Sequence, residues 1–333
     1  MRDFKTSSEI KKNIEYFLDE GNDIKASLTI CVWNTSHLLI KSIEAFCKQD
    51  FPTQNWELIV VDDASLDDVE AAIEFAKGKI NMRYVRLEHE YGMRGNCVAF
   101  GTGFAFSRGE IIMESTPEII FTPDGVRVMY EPHLTEERAF VATKTYNLEY
   151  GTQMLIDTVD WRSDVNKIKE LDGFMSDWTQ SNVSNTHFGT HQSCSIKKAV
   201  FYEITNGYGF PLYGDYGTED PMYCGLRERV NVKDITIMEP MFFHQWHLPF
   251  SYFSSMGYAP MLNKWNHTTS NYLGCESGLV PPGGTSTIWD HGSDEKIGDA
   301  EKLEWKGRDQ QFIDTGGLPS IIKPRILSDG TEV

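Results

Sequence analysis

This sequence predicts an α/β fold built on a mostly parallel central sheet, and three observations carry that expectation. Short apolar runs alternate with stretches of helical period through the first third of the chain. Acidic residues stand just past the ends of those runs, at Asp62, Asp63 and Glu118. No internal repeat and no low-complexity tract points to a solenoid, propeller or linker architecture instead.

Taken in order, residues 8–20 place Ile10, Ile14, Phe17 and Leu18 on one helical face ahead of Gly21, which predicts an N-terminal helix. Leu28–Trp33 is a short apolar run, the pattern of a strand buried on both faces. Leu38–Gln49 carries Leu39, Ile43 and Phe46 at helical spacing. Trp56–Val61 is a second strand, ending in Asp62 and Asp63. Asp67–Lys77 is a helix with Asp67 or Asp68 as its cap. Met82–Leu87 is a third strand, Asn96–Ser107 a helix with Cys97, Phe100 and Phe104 on one face, and Glu110–Met113 a fourth strand. Such alternation implies parallel strands joined by right-handed crossovers, with ligands at their carboxyl ends. The predicted division is an N-terminal helical extension over 1–25, one main domain over 26–250, and an irregular C-terminal extension over 251–333. The last is rich in Gly, Pro, Ser and Asp, as at Val280–Ser286.

Bulk properties narrow the function. The chain has 333 residues, 40% hydrophobic and 24% charged, as in a soluble globular protein. A formal net charge of -18 repels phosphate polymers and anionic lipid, which disfavours nucleic acid as a partner. No run of about 18 apolar residues occurs, so no membrane span is expected. Met1–Lys12 is polar where a secretory signal needs an apolar core, so a cytoplasmic location is expected. The six cysteines include no C-x-x-C pair and predict reduced thiols rather than a zinc ribbon. Neither G-x-G-x-x-G nor G-x-x-x-x-G-K-[ST] appears, which argues against a dinucleotide fold, a P-loop and a nucleotidyl transferase.

Chemistry concentrates where strands end. Trp33 and Asn34 follow the first strand. Asp62 and Asp63 follow the second, where a carboxylate either accepts from a base N–H or ribose hydroxyl or caps the next helix. Gly92–Asn96 brings Arg94 and Asn96 to a helix start, a place that favours anions. Thr116, Pro117 and Glu118 follow the fourth strand, and a hard oxygen ligand there suits a divalent ion. His244 and His247 follow a later apolar run and are either further ligands or core residues. Glu219 and Asp220 lie between a glycine-rich loop and an expected helix, as an acid–base pair or as acids on the helix dipole. Trp161, Trp178, Tyr208, Tyr213 and Tyr216 either stack on sugar rings or fill the core.

In their shared order these segments resemble family 2 glycosyltransferases of the GT-A fold, over roughly residues 26–250. The resemblance implies a single Rossmann-like domain, with a nucleotide-binding half over 26–120 and an acceptor half over 121–250. It implies that Asp62 or Asp63 contacts uracil or ribose, with Trp33, Asn34, Arg94, Asn96 and Thr116 completing the donor site. Counted from Gly109 and Glu110, the family's Asp-x-Asp falls on Thr116–Glu118, a departure that leaves Glu118 as the metal carboxylate, with Glu114 as the alternative register. His244, then His247, is the implied imidazole ligand of Mn²⁺ or Mg²⁺. Ser193 and Cys194 are placed near the donor sugar. Asn206–Tyr208 and Tyr213–Asp220 resemble the family's acceptor motif, which makes Asp220 the base and Glu219 the acceptor-holding acid. The implied reaction is inverting transfer from a UDP-sugar to a hydroxyl, most simply of a glycan. A modified nucleobase in DNA as acceptor, or a weakly catalytic nucleotide-sugar-binding protein, is the competing expectation.

Overall fold

One ten-stranded sheet organises the chain, in the order β1-β4-β3-β2-β5-β9-β7-β10-β6, with β8 on β7. Its strands are β1 Glu9–Tyr16, β2 Ala26–Val32, β3 Trp56–Asp63, β4 Asn81–Glu88, β5 Ile111–Ser115, β6 Ile119–Ile120, β7 Ala139–Leu148, β8 Met175–Ser176, β9 Ser193–Lys197 and β10 Lys233–His244. The structure is a computed structural model and describes residues 9–18, 23–65, 67–88, 96–148, 150–171, 175–176, 193–204 and 232–245. Strands β2, β3, β4 and β5 are mutually parallel. Strands β7 and β10 run the same way, reached through β9, which is antiparallel to both β5 and β7. The mostly parallel sheet expected from the sequence is therefore present, and all six of these strands end at one edge.

The helices are α1 Ser36–Phe46, α2 Val69–Glu74, α3 Asn96–Phe106, α4 Gly125–Tyr130, α5 Tyr150–Leu155 and α6 Lys198–Ile204. Strand β3 is buried along its whole length, as a continuous apolar run at the centre of a covered sheet requires. Leu28, Ile30, Leu58, Val60, Met82 and Tyr84 pack with Leu39, Ile43 and Phe46 of α1 and Ile73 of α2. The alternate positions Ile59, Val61 and Val85 join Ala99 of α3, and Ile112, Cys194 and Ile196 join its Phe100 and Phe104. The period of two in the strands thus sends successive residues to opposite helical layers. Helix α3 lies so close to β2 that a Cβ on Gly103 would sit 2.2 Å from Thr29 Cγ2. Gly109 meets backbone rather than side chain, since a Cβ there would lie 2.6 Å from the Ala26 carbonyl carbon.

One expectation is corrected. The N-terminal segment is not a helix: Glu9–Tyr16 is a strand paired antiparallel with β4. Ile10 and Ile14 are four apart, which suits a helical face, but a register shift between Ile10 and Lys12 sends Ile10 to the layer of Val61 and Leu87 and Ile14 to the layer of Tyr84. Tyr16 joins Ile14 on that side, half-buried against the core, whereas Asn13 and Glu15 are exposed. Pairing with β4 settles the choice by satisfying an edge that would otherwise stay open. Of its two readings Trp161 takes the core one, fully buried among Ile120, Val165, Ile168 and Phe243. Trp178, Tyr208, Tyr213, Tyr216 and the extension over 251–333 lie outside the described residues.

Among the described residues Cys31, Cys47 and Cys194 stand outside any disulfide. No helix of the described residues is long and apolar enough to cross a membrane.

Candidate functional site

Two backbone irregularities mark the shared strand edge. Asn34, just past β2, has φ 55°, and Ala64, just past β3, has φ 61°. Asn tolerates the left-handed region, but Ala carries a cost of about 1–2 kcal/mol there. Something must hold that turn, and Asp62 does. Its Oδ1 accepts from Ser65 N–H at 2.8 Å, while its Oδ2 accepts from Tyr84 Oη at 2.7 Å and Arg86 Nη1 at 2.5 Å. Arg86 Nη2 also donates to the Ser65 carbonyl at 2.8 Å, and Asn34 N–H donates to Ser65 Oγ at 3.0 Å. One network therefore ties the ends of β2, β3 and β4. Burial first, and the Asp62 carboxylate second, push the Tyr84 phenol well above its ordinary range, so it stays a neutral donor.

Of the two acids at this turn, Asp62 is thus fully committed to the fold, with no exposed surface and three donors on its carboxylate. Asp63 follows it at the strand terminus. Neither caps α2. Asp68 does so by accepting from Ala71 N–H at 2.9 Å, while Asp67 Oδ2 accepts from Ser36 N–H at the start of α1 at 2.7 Å. Tyr84, Arg86 and Ser65 were missed by the sequence reading. Arg86 stands opposite Asp62 in the β3–β4 register, a signal visible only once the strands are aligned.

The second cluster follows β5. Thr116, Pro117, Glu118 and Ile119 form a turn in which Ile119 N–H donates to the Thr116 carbonyl at 3.2 Å, with Pro117 in the second position that its fixed φ favours. Strand β6 then pairs antiparallel with β10, setting His244 opposite Ile119. This brings His244 Nε2 to 3.5 Å from Glu118 Oε1, with both side chains about 15% exposed. Two ligand atoms at about 2.1 Å from one ion lie roughly 3.0–3.4 Å apart in octahedral or tetrahedral sites. The 3.5 Å between this hard carboxylate oxygen and imidazole nitrogen lies just beyond that range, so the pair, partly open to solvent, would hold a Mn²⁺ or Mg²⁺ ion after a slight approach, with water or phosphate as further ligands. Among the described residues no third His, Cys, Asp or Glu joins them.

Glu114 is buried on β5, opposite Thr29 and Cys194, inside the sheet rather than at its edge. That position favours Glu118 as the carboxylate of a solvent-accessible ion. Thr116 is half-buried at the start of the same turn. Ser193 is buried, with its Oγ 2.8 Å from Ser115 Oγ. Cys194 packs with Phe100 and Phe104 in the core. Asn96 opens α3. Arg94, His247, Glu219 and Asp220 lie outside the described residues.

Comparison with known proteins adds the following. The family model described as glycosyl transferase family 2 matches residues 27–204, more than half of the chain. Poly(ribitol-phosphate) β-N-acetylglucosaminyltransferase TarS of Staphylococcus aureus is 31% identical over 72 residues, which make up 22% of this chain and 13% of that protein's length. The crystal structure of residues 1–349 of S. aureus TarS in complex with UDP-GlcNAc aligns with a TM-score of 0.52 at 13% identity, covering 87% of this chain and 81% of that one. Its complex with UDP aligns with a TM-score of 0.50, also at 13% identity, covering 85% and 78%. At such identity the structural likeness shows the fold alone, a GT-A fold.

Proposed function

Because the chain belongs to glycosyl transferase family 2, we propose that it transfers a sugar from a nucleotide-sugar of the UDP class to a hydroxyl acceptor, with inversion. The observation that carries this reading is the meeting of Glu118 and His244 at the strand edge that also bears Trp33, Asn34 and Asp63. The UDP-GlcNAc held by the TarS structure supports the donor class. The acceptor is taken to be a glycan or related polyol hydroxyl.

In this reading Asp63, Trp33 and Asn34 face the nucleoside, on a turn that Asp62, Tyr84 and Arg86 keep rigid. Arg94 and the start of α3 take the phosphates, with Asn96 and Thr116 beside the donor. Glu118 and His244 hold the divalent cation. When bound, the cation supplies neutralisation of charge on the departing diphosphate. Glu219 holds the acceptor, and Asp220 takes the proton of the acceptor hydroxyl as its oxygen bonds to the anomeric carbon. The bond from that carbon to the diphosphate breaks on the opposite face, and the electron pair leaves with UDP. The roles of Arg94, Glu219 and Asp220 rest on their sequence motifs.

The test is release of UDP from a panel of UDP-sugars with manganese, alongside calorimetry of UDP binding. Glu118→Gln and His244→Ala should each weaken manganese-dependent UDP binding by at least about 10-fold and leave metal-free binding in place. A variant that keeps the original manganese dependence takes its residue out of the metal site.

A further inference from the structure

We propose that Gln245 is the positioning residue that holds Glu118 and His244 together as a ligand pair, an inference that rests on the metal reading above. Gln245 follows His244 directly and has no exposed surface. Its backbone N–H donates to the Glu118 carbonyl at 2.9 Å, extending the β6–β10 ladder by one step into the turn. Its side-chain Nε2 donates to the Leu38 carbonyl of α1 at 3.0 Å and reaches Ser42 Oγ at 3.4 Å. Ser42, also fully buried, donates from Oγ to the Pro117 carbonyl at 2.7 Å. Gln153 Nε2 donates to Gln245 Oε1 at 3.4 Å.

The consequence is mechanical. The two successive carbonyls of Pro117 and Glu118 are both held, one through Ser42 and one by Gln245 itself. The turn bearing Glu118 therefore cannot rotate against the strand bearing His244 without breaking a buried bond. Because the Leu38 carbonyl only accepts, the orientation of the Gln245 amide is determined, and a carboxylate could not replace it. A side chain needed only for packing would be apolar here. A buried amide costs free energy unless its donors and acceptor are used, and this one uses them on Gln153 and on α1, whose Ser42 in turn holds the Pro117 carbonyl. Such supporting bonds orient metal ligands, and their loss costs about 10–100-fold in affinity.

The test uses the full-length protein with UDP, titrating Mn²⁺ and reading the unbound ion by its electron paramagnetic resonance signal. Gln245→Met keeps the volume and deletes the amide; Ser42→Ala cuts the other arm with a smaller change, and carries the same test should the first variant not fold. Both should raise the Mn²⁺ dissociation constant, Gln245→Met by about 10-fold or more. Metal-free UDP affinity should be unchanged, a readout that a general loss of stability would not produce. If the variants fold and bind Mn²⁺ as the original protein does, the proposal is overturned, whatever their thermal midpoints. Glu118→Gln separates the two levels. If it weakens Mn²⁺ binding and Gln245→Met does not, only Gln245 loses its role. If Glu118→Gln binds Mn²⁺ unchanged, the metal reading has failed and this inference falls with it.

Discussion

Asp220 carries the most direct prediction at the scale of a single residue. In the proposed reaction, replacing it with Asn removes the proton acceptor and should lower turnover about 10²–10⁴-fold, with UDP binding intact. Full transfer activity in that variant would remove it as the base. His133 makes a separate prediction about stability. It is buried, and its Nε2 donates to Ser195 Oγ at 2.9 Å, because that hydroxyl spends its own proton on the Met129 carbonyl at 2.7 Å. Among the described residues its Nδ1 finds no hydrogen-bond partner. Burial first, and the Lys197 charge second, hold its pKa down from 6.5 to about 4. The folded protein thus refuses a proton that the unfolded chain accepts. The stability tied to the neutral ring is fully present above pH 6.5 and is lost as pH falls through about 4. The change is on the order of 3 kcal/mol. Urea unfolding of His133→Gln should show a flatter dependence on pH across that window, whatever its absolute stability.

At the scale of the element, the close approach of the α3–β5 connection to β2 is the feature most exposed to test. Gly109 N–H donates to Ser27 Oγ at 2.8 Å, and an added Cβ would meet backbone that has no rotamer to yield. Gly109→Ala should cost about 1–3 kcal/mol, read as a lower urea midpoint. An unchanged midpoint would mean that β2 and β5 can separate without loss. Gly109 also shows how a motif glycine met in the sequence has a steric reason that the motif does not state. Strand β1 carries the opposite lesson. Ile10 and Ile14 share a helical face in the sequence, yet the open edge of β4 paired the segment as a strand whose register shift sends them to opposite faces.

At the scale of the molecule, much of the fold was legible because a covered parallel sheet leaves a strong trace. Strands buried on both faces are nearly all apolar, and β2, β3, β4 and β5 lie where the runs at Leu28, Trp56, Met82 and Ile111 placed them. The site was legible in part. Asp62 and Asp63 stood out as acids directly after an apolar run, and Glu118 through the spacing counted from Gly109 and Glu110. Their division of labour was not visible: Asp62 became a structural hub only when the register set Arg86 opposite it. By itself, then, the sequence determined the fold class, the family and the edge of the sheet where chemistry belongs, since burial period and motif order are properties of the linear chain. Tertiary structure alone decided that Glu118 meets His244, that Gln245 joins them, that β1 is a strand and that Trp161 and Cys194 are core. Each of those outcomes depends on which distant segment packs alongside, and pairing across a sheet is a long-range choice that no local pattern encodes.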